Sequence, residues 1–529
     1  MVLAVLGVAG LLFAYRLGAG SLWDVDEPRY AEAAREILAT GDPLTMHLDG
    51  ERWYGPPPLW MWVEAALGGA FGFSELVARS GAAAFGVLGV GATCLLGREW
   101  FGARTGVLAG LVLATMLEYV LLSRLGIPDT AGVALVLLAL WAFSRAYRSG
   151  RRAGYLVSFG LAGLAVLARG PAALAFLGAV VLGFLGYRGR LGRAGGIPWP
   201  AGLALCLGIA SPWYVAEALR GGPAFLEAAL GDANPARFVH GAGPRVLSLL
   251  YHVPVFLLGT VPWTAFLPAS AAYHYDHRWQ DGSLLVLLGS GVSLLAAVLS
   301  GTRRPDEVAL AFPFAALAVA RLWEEFLYEG ASRLHRVLRT AFVLQAGAVA
   351  ALALVAVAFA TVRYPREFLA VRGSLLAPLA VLLAGPAATA LLFRGGKYTA
   401  AFLALPAATA AFVGVLATVT LPAVEAQKPT KPVAASLGEW LRPEDRLIAY
   451  RLGSGPSLLY YARHPVEAVE DPRVLRQRLC APGRAVVVSE RAELVAARAW
   501  LPPGMREVGG RGDLVVLLKP PRLPCGGEV

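Results

Sequence analysis

The sequence predicts a polytopic α-helical membrane protein of about thirteen spanning helices, with juxtamembrane helices on the outer face and a C-terminal soluble α/β domain. Three observations carry this expectation. Of 529 residues, 57% are hydrophobic and 16% charged, with a mean hydropathy of +0.59, whereas a soluble globular chain has about a quarter of its residues charged. Apolar windows of roughly 20 residues, enough for a helix to cross the hydrocarbon core, recur from Leu3 to about Leu421. From Glu425 onward Arg, Glu, Asp and Pro become frequent and no apolar run is long enough to span. Residues 1–421 therefore read as the membrane domain, with an outer juxtamembrane loop at 18–74, and residues 422–529 as the soluble domain.

The first apolar stretch, residues 2–15, follows the initiator Met without a basic region or a convincing cleavage site, so it reads as an uncleaved first helix. Arginines then sort the loops. Arg98 and Arg104, Arg145, Arg148, Arg151 and Arg152, Arg188, Arg190 and Arg193, and finally Arg394 and Lys397 mark short cytoplasmic loops. The same residues account for the net charge of +11 without a nucleic-acid partner. Alternation places the 18–74 loop, the turn at Asp129, the turn at Arg169 and the 217–248 loop outside, provided that the apolar stretch 57–71 lies along the outer interface as a helix. An odd number of spans puts the tail outside as well. Within the tail, β-rich runs at 446–450, 485–488 and 513–518 alternate with helix-like runs at 456–462 and 472–479. Cys94 and Cys206 fall in apolar windows, while Cys480 and Cys525 lie in the tail, where an oxidising compartment would allow them to pair.

Chemistry-bearing residues gather in the outer segments. The stretch Trp23-Asp24-Val25-Asp26-Glu27-Pro28-Arg29-Tyr30-Ala31-Glu32 sets three carboxylates within four residues. A helix pattern follows, with Tyr30, Ala34, Ile37 and Leu38 on one face, and it stops at Thr40-Gly41-Asp42-Pro43. Asp26 or Glu27 either caps this helix, with Pro28 in its first turn, or does chemistry. Further on comes Arg52-Trp53-Tyr54-Gly55-Pro56-Pro57-Pro58-Leu59-Trp60-Met61-Trp62, where the prolines bar a helix before Leu59 and the aromatic side chains suit the headgroup interface.

Together these stretches resemble the opening of the polyprenyl-phosphate-dependent membrane glycosyltransferases, including aminoarabinose transferases and protein O-mannosyltransferases. In that family an Asp-Glu-x-Arg-Tyr-Ala segment follows the first span, and an aromatic segment running into Pro-Pro comes later; here these are residues 26–31 and 53–58. Arg124-Leu125-Gly126-Ile127-Pro128-Asp129 looks like the family's second outer turn, and Ala168-Arg169-Gly170-Pro171 like its Lys-Gly-Pro turn with arginine for lysine. Ser211-Pro212-Trp213-Tyr214, then Arg237-Phe238 and His240, then Pro262-Trp263-Thr264, and Ser300-Gly301-Thr302-Arg303-Arg304-Pro305 keep the family's order. The resemblance implies a C-type fold in a bacterial inner membrane and an inverting transfer of a sugar. The donor would be an undecaprenyl-phosphate-like carrier, and the acceptor a lipid, glycan or protein. One departure matters. The Glu-Lys pair of aminoarabinose transferases, thought to help hold a metal and to contact the donor phosphate, is Gly55-Pro56 here, which disfavours a bound divalent metal and aminoarabinose as the sugar.

Transfer from a lipid phosphate needs a base for the acceptor and cations for the departing phosphate. Asp26 is expected as that base, or as the group that orients the acceptor, because a carboxylate beside a low-dielectric surface has its pKa raised toward the useful range. Glu27 and Asp129 are the other catalytic candidates. Arg29, Arg169 and one of Arg237, Arg303 and Arg304 are expected on the phosphate, since a guanidinium stays charged and binds phosphate oxygens in pairs. Tyr30, Tyr54 and His240 complete the expected substrate contacts. Local alternatives stand beside these roles: Asp129 as the N-cap of the following span, Arg169 as a snorkelling interfacial residue, His240 as a solvated loop residue. Two other function classes also suit many spans. A transporter or flippase of lipid-linked sugars would place ionisable residues mid-membrane and show internal repeats. Here the charges gather in outer loops, Glu118 being the ambiguous case, and no clear repeat is seen. A non-catalytic envelope assembly protein would be indifferent to loss of the Asp26 carboxylate.

Overall fold

The computed structural model describes residues 1–54, 57–233, 245–300, 303–328, 332–363, 365–453 and 455–521. Its residues cluster into two compact units: Met1–Leu17, Tyr54–Val63 and Arg79–Thr420 in one, and Gly18–Trp53, Glu64–Ala78 and Leu421–Val529 in the other. The division at Thr420 falls where the composition changes. The outer loop, however, mostly clusters with the tail rather than with the membrane helices, and hydrogen bonds between residues hundreds of positions apart run within that grouping.

Among the described residues of the first unit and its continuation, six helices are long and apolar enough to cross a membrane, or seven if the bent pair Val246–Gly259 and Thr264–Asp276 counts as one span. Val2–Ala14, Leu59–Phe71, Ala103–Ala114 and Ala172–Tyr187 are apolar but shorter. This tally rests on length and composition among the described residues and leaves the expected count of about thirteen untested. The Asp129–Ser149 helix is central, with 78% of its apolar window buried. It ends at Gly150, whose φ of 71° is the left-handed conformation that favours glycine, and the chain returns at once as the Arg152–Arg169 helix. Small residues let this hairpin close: a Cβ on Gly154 would lie 2.9 Å from the Ala146 Cβ. Two motif segments from the sequence prove to be packing and capping elements. Arg124 donates to the carbonyls of Leu12, Phe13 and Tyr15 at 2.8, 3.0 and 2.8 Å, closing the end of the first helix. Trp263 is fully buried, its indole N–H donating to Thr115 Oγ at 3.1 Å and its ring 5.2 Å from Phe402.

In the second unit the helix Asp26–Thr40 buries Tyr30, Ala31, Ala33, Ala34 and Ile37 and stops at Gly41, whose φ is 69°. Leu38, expected on the same face, is 49% exposed. The tail holds a five-stranded mixed sheet of β3 (Arg446–Tyr450), β4 (Val466–Val469), β5 (Ala485–Glu490), β6 (Arg506–Arg511) and β7 (Leu514–Lys519), while β1 (His47–Leu48) and β2 (Glu51–Arg52) form a small ribbon. The order is β4-β3-β5-β7-β6, parallel from β4 to β5 and antiparallel beyond. Alternation along β3 and β5 sends Leu447, Ala449, Val486 and Val488 into one apolar layer and Ile448, Tyr450 and Val487 into the other. Helix Gly455–Ala462 covers the first layer and Pro472–Cys480 the second. Strands β4 and β6 went unpredicted because both are edges with polar faces, and β6 carries a bulge between Glu507 and Gly509. The outer loop is tied to this domain by the amides of Ser457 and Val466, which donate to Asp24 Oδ1 at 3.1 Å and to both Asp49 oxygens at 3.2 and 3.1 Å. The Leu22 amide donates to the Tyr461 hydroxyl at 2.8 Å.

Cys94 and Cys206 are free and buried; the pairing considered for Cys480 involves Cys525, which lies outside the described residues.

One buried carboxyl makes this unit sensitive to pH. Glu32 is 3% exposed, and burial pushes its carboxyl up to about 7 despite Arg35, which reaches it at 2.7 Å. A carboxyl raised from 4.5 to about 7 on folding stabilises the folded state fully below about 4.5, and that contribution is lost as pH rises through about 7. Glu32→Gln is therefore expected to stabilise the unit at pH 8 by up to about 3 kcal/mol and to leave it unchanged near pH 4. Hydrogen exchange over residues 26–40 at both pH values checks this; lower protection in the variant at pH 8 would contradict it.

Candidate active site

In the membrane unit, the start of one helix and the end of the next bring two charges together. Asp129 is the first residue of its helix, following Pro128, and it does not cap the helix with its side chain. Its carboxylate, 4% exposed as a residue, instead accepts from Arg169 Nη1 at 2.7 Å. Arg169 is the last residue of the return helix, and its guanidinium also points Nη2 at the Asp306 carbonyl, 3.4 Å away. It is therefore held by protein partners rather than reaching freely toward solvent. Gly132, one turn below Asp129, makes room for this: a Cβ there would fall 2.5 Å from the Arg169 Cδ. After Arg169, Gly170 turns the chain with a φ of 79° and lies beside Pro57 and the Tyr214 hydroxyl, 3.7 and 3.9 Å from where its Cβ would be.

The segment 303–308 supplies further charge. Arg304 forms a two-pronged pair with the Asp306 carboxylate, Nε to Oδ1 at 3.1 Å and Nη2 to Oδ2 at 3.0 Å. Next to it, Glu307 accepts from Ser300 Oγ at 2.7 Å and faces His252 Nε2 at 2.8 Å. The other ring nitrogen of His252 lies 2.9 Å from the Ser248 carbonyl, which can only accept, so Nδ1 carries a proton. Asp129 and Asp306 lie close enough to Glu118 for their charges to act on it. Sequence reading missed His252, Asp306 and Glu307. The signal available was a histidine inside an apolar run and the Asp-Glu pair that directly follows Arg303 and Arg304.

Tyr54 stands in an aromatic group with Trp213, Tyr214 and Phe225, its ring 5.7 Å from that of Phe225. The Tyr214 hydroxyl is buried with no hydrogen-bond partner among the described residues. Of the other expected contacts, Arg303 is exposed. Gly55, Pro56, Arg237 and His240 lie outside the described residues. Among the described residues, no group of three or more His, Cys, Asp or Glu is placed to hold a metal ion.

The remaining candidates belong to the second unit, where the three clustered carboxylates have separate fates. Asp24 accepts from the Ser457 amide. Glu27, 2% exposed, accepts from the Trp23 amide at 2.7 Å and so ties down the approach to its own helix. Asp26 is exposed at the first position of the helix, and among the described residues no hydrogen bond or ion pair occupies its carboxylate. Arg29 lies close enough to Asp24 to act on its charge, and Tyr30 packs against Trp53 at 5.8 Å.

Residues 56–215, which include Asp129 and Arg169, match the family model described as dolichyl-phosphate-mannose-protein mannosyltransferase. The fold superposes on the crystal structure of ArnT from Cupriavidus metallidurans bound to undecaprenyl phosphate with a TM-score of 0.81, covering 98% of both chains at 21% identity. Among particular relatives, the chain is 28% identical over 326 residues to the undecaprenyl phosphate-alpha-4-amino-4-deoxy-L-arabinose arabinosyl transferase of Aeromonas salmonicida, covering 60% of this chain and 58% of that one. It is 31% identical over 284 residues to the protein of the same name from Shewanella sediminis, covering 51% and 50%. The matched stretches span about half to three-fifths of these relatives' lengths. The likeness to the polyprenyl-phosphate glycosyltransferase family that the motifs carried is thus found in sequence and in fold.

The buried pair gives a direct test of its own. Asp129→Ala strands the Arg169 guanidinium in a poorly solvated place and Arg169→Ala strands the Asp129 carboxylate, so each single change is expected to destabilise strongly, while the double change costs less than their sum. The coupling energy expected from a double-mutant cycle of unfolding in detergent is about 1–3 kcal/mol; strict additivity would show that the pair is not formed.

Proposed function

We propose that this chain is an integral-membrane glycosyltransferase that moves a sugar from a polyprenyl-phosphate donor, of the undecaprenyl-phosphate kind, to a lipid, glycan or protein acceptor at the outer face of a bacterial inner membrane. In this reading the membrane unit crosses about thirteen times and the tail faces the exterior. The observation that carries the proposal is the Asp129–Arg169 pair at 2.7 Å, which fixes a permanent cation at the helix ends within the stretch matched by the mannosyltransferase family.

A guanidinium has five donors, and Asp129 together with the Asp306 carbonyl takes only part of that capacity. Among the described residues the rest has no partner and is proposed to bind phosphate oxygens, where it stabilises the charge that develops as the bond between sugar and phosphate breaks. Arg303, Arg304 and Arg29 are the further cations of this role. The Tyr214 hydroxyl, buried and without a hydrogen-bond partner among the described residues, offers a donor to the donor lipid or sugar, with Tyr54 in the same aromatic group. The acceptor hydroxyl attacks the anomeric carbon, its proton passes to a carboxylate, and polyprenyl phosphate departs with the bonding electrons, inverting the configuration. Asp26 is the proposed base because its carboxylate is exposed and unengaged, whereas Glu27 and Asp129 are committed to protein partners. Tyr30 and His240 are the proposed acceptor-side contacts. The sugar is left open, since the lysine and glutamate of aminoarabinose transferases have no counterpart at residues 55 and 56.

Purified protein in lipid, given a panel of undecaprenyl-phosphate sugars and acceptors, is expected to release undecaprenyl phosphate. Asp26→Asn and Arg169→Gln should each lower the rate at least about a hundredfold with the fold intact, the size expected for loss of a general base or a charge-stabilising donor. Equal rates in Asp26→Asn would move the base elsewhere. No release from any donor would favour a carrier of lipid-linked sugars.

A further inference from the structure

The second unit contains a cavity of about 310 Å³ bordered by Trp23, Asp24, Lys428, Lys431, Ser457 and Glu490. This volume falls at the lower end of small-molecule pockets, about 300–1,000 Å³. Its walls come from the outer loop, the segment leading into the tail and the tail domain itself, and they are fixed by hydrogen bonds rather than by chance proximity. Ser21 Oγ donates to Glu425 at 2.9 Å, the Leu22 amide to Tyr461 at 2.8 Å and the Ser457 amide to Asp24 at 3.1 Å.

The lining is mixed in a specific way. Trp23 is a large aromatic left 41% exposed at the border of the cavity. The Lys428 ammonium lies 3.5 Å from its ring centroid, a favourable place for a cation beside an aromatic plate, and pairs with Glu425 at 3.9 Å. Two lysines face two carboxylates, and Lys431 is in addition joined to Glu75. The charges therefore nearly cancel, so a strongly anionic or cationic ligand gains little. Donors and acceptors instead stand together beside the Trp23 ring. That arrangement matches a ligand whose rim of hydroxyls both donates and accepts and whose faces carry C–H groups.

We infer that this cavity is a saccharide-binding site, taking a neutral pyranose ring with its C–H groups toward Trp23 and its hydroxyls toward Asp24, Glu490 and the two lysines. The site is built wholly within the outer-loop and tail unit and requires no transfer chemistry, so its failure and that of the transferase reading are separable.

The experiment uses the full chain in lipid nanodiscs and saturation-transfer difference NMR with methyl glucoside, methyl mannoside, methyl galactoside and N-acetylglucosamine, with inorganic phosphate as competitor. At least one sugar is expected to give saturable transfer with a Kd on the order of 1 mM. Trp23→Ala should weaken it at least tenfold. Glu490→Gln, at an exposed position that leaves the frame of hydrogen bonds in place, should weaken it severalfold and keeps the test valid where the tryptophan variant misfolds. Absence of saturable transfer from every sugar would overturn the inference, as would binding unchanged in Glu490→Gln. Displacement of the sugar by phosphate at equal concentration would overturn it in favour of an anion site.

Discussion

Charge is expensive where two apolar helices end beside each other, and the membrane unit carries Asp129 and Arg169 there, 2.7 Å apart. Neither can be kept without the other. The carboxylate needs the guanidinium to offset its desolvation, and the guanidinium needs the carboxylate to hold one orientation out of the many its flexible stem allows. Much of the surrounding sequence follows from that demand. Glycine at 132 clears space for the arginine stem, glycine at 170 turns the chain immediately after it, and the short hairpin at Gly150 fixes the axial register of the two helices that carry the pair. A side chain larger than hydrogen at 132 would push on Arg169 before it touched anything else.

The same constraint organises the 303–308 segment. Its backbone gives the Asp306 carbonyl to Arg169 while its side chain holds Arg304, so one residue relates two guanidinium groups. Glu307 anchors the segment from the other direction through His252 and Ser300. An arrangement in which two arginines are each held by a carboxylate is pre-organised: the cations are already ordered before an anionic ligand arrives, which reduces the entropy lost on binding. In the second unit a similar sorting separates three neighbouring carboxylates. Asp24 and Glu27 help to hold the loop, while Asp26 at the start of its helix carries no such bond among the described residues.

How much of this was legible follows from the range of the interactions. The helix over 26–40 was readable because its apolar spacing and its Gly41 stop are local, and Leu38 was misplaced because the face is narrower than four positions suggest. Asp129 and Arg169 stood out as charges at turns between apolar runs, but their pairing across 40 residues has no local signature. The contact from Arg169 to residue 306 spans 137 positions and that from Ser457 to Asp24 spans 433, which is why Asp306 was overlooked and why the outer loop was assigned to the membrane helices. Strand β6 escaped for a different reason. The run Arg506–Arg511 is polar and rich in glycine, and it is a strand only because β7 supplies its partner.

The central claim is that the guanidinium held by Asp129 is the cation that receives the phosphate of a lipid carrier. It is tested most directly by the affinity of undecaprenyl phosphate, without any sugar, for the wild type and for Arg169→Gln in nanodiscs at matched thermal stability. A Kd weakened at least tenfold by the substitution, corresponding to about 1.4 kcal/mol or more, with the difference shrinking as salt rises, is the predicted result. An unchanged Kd in the correctly folded variant would contradict the account.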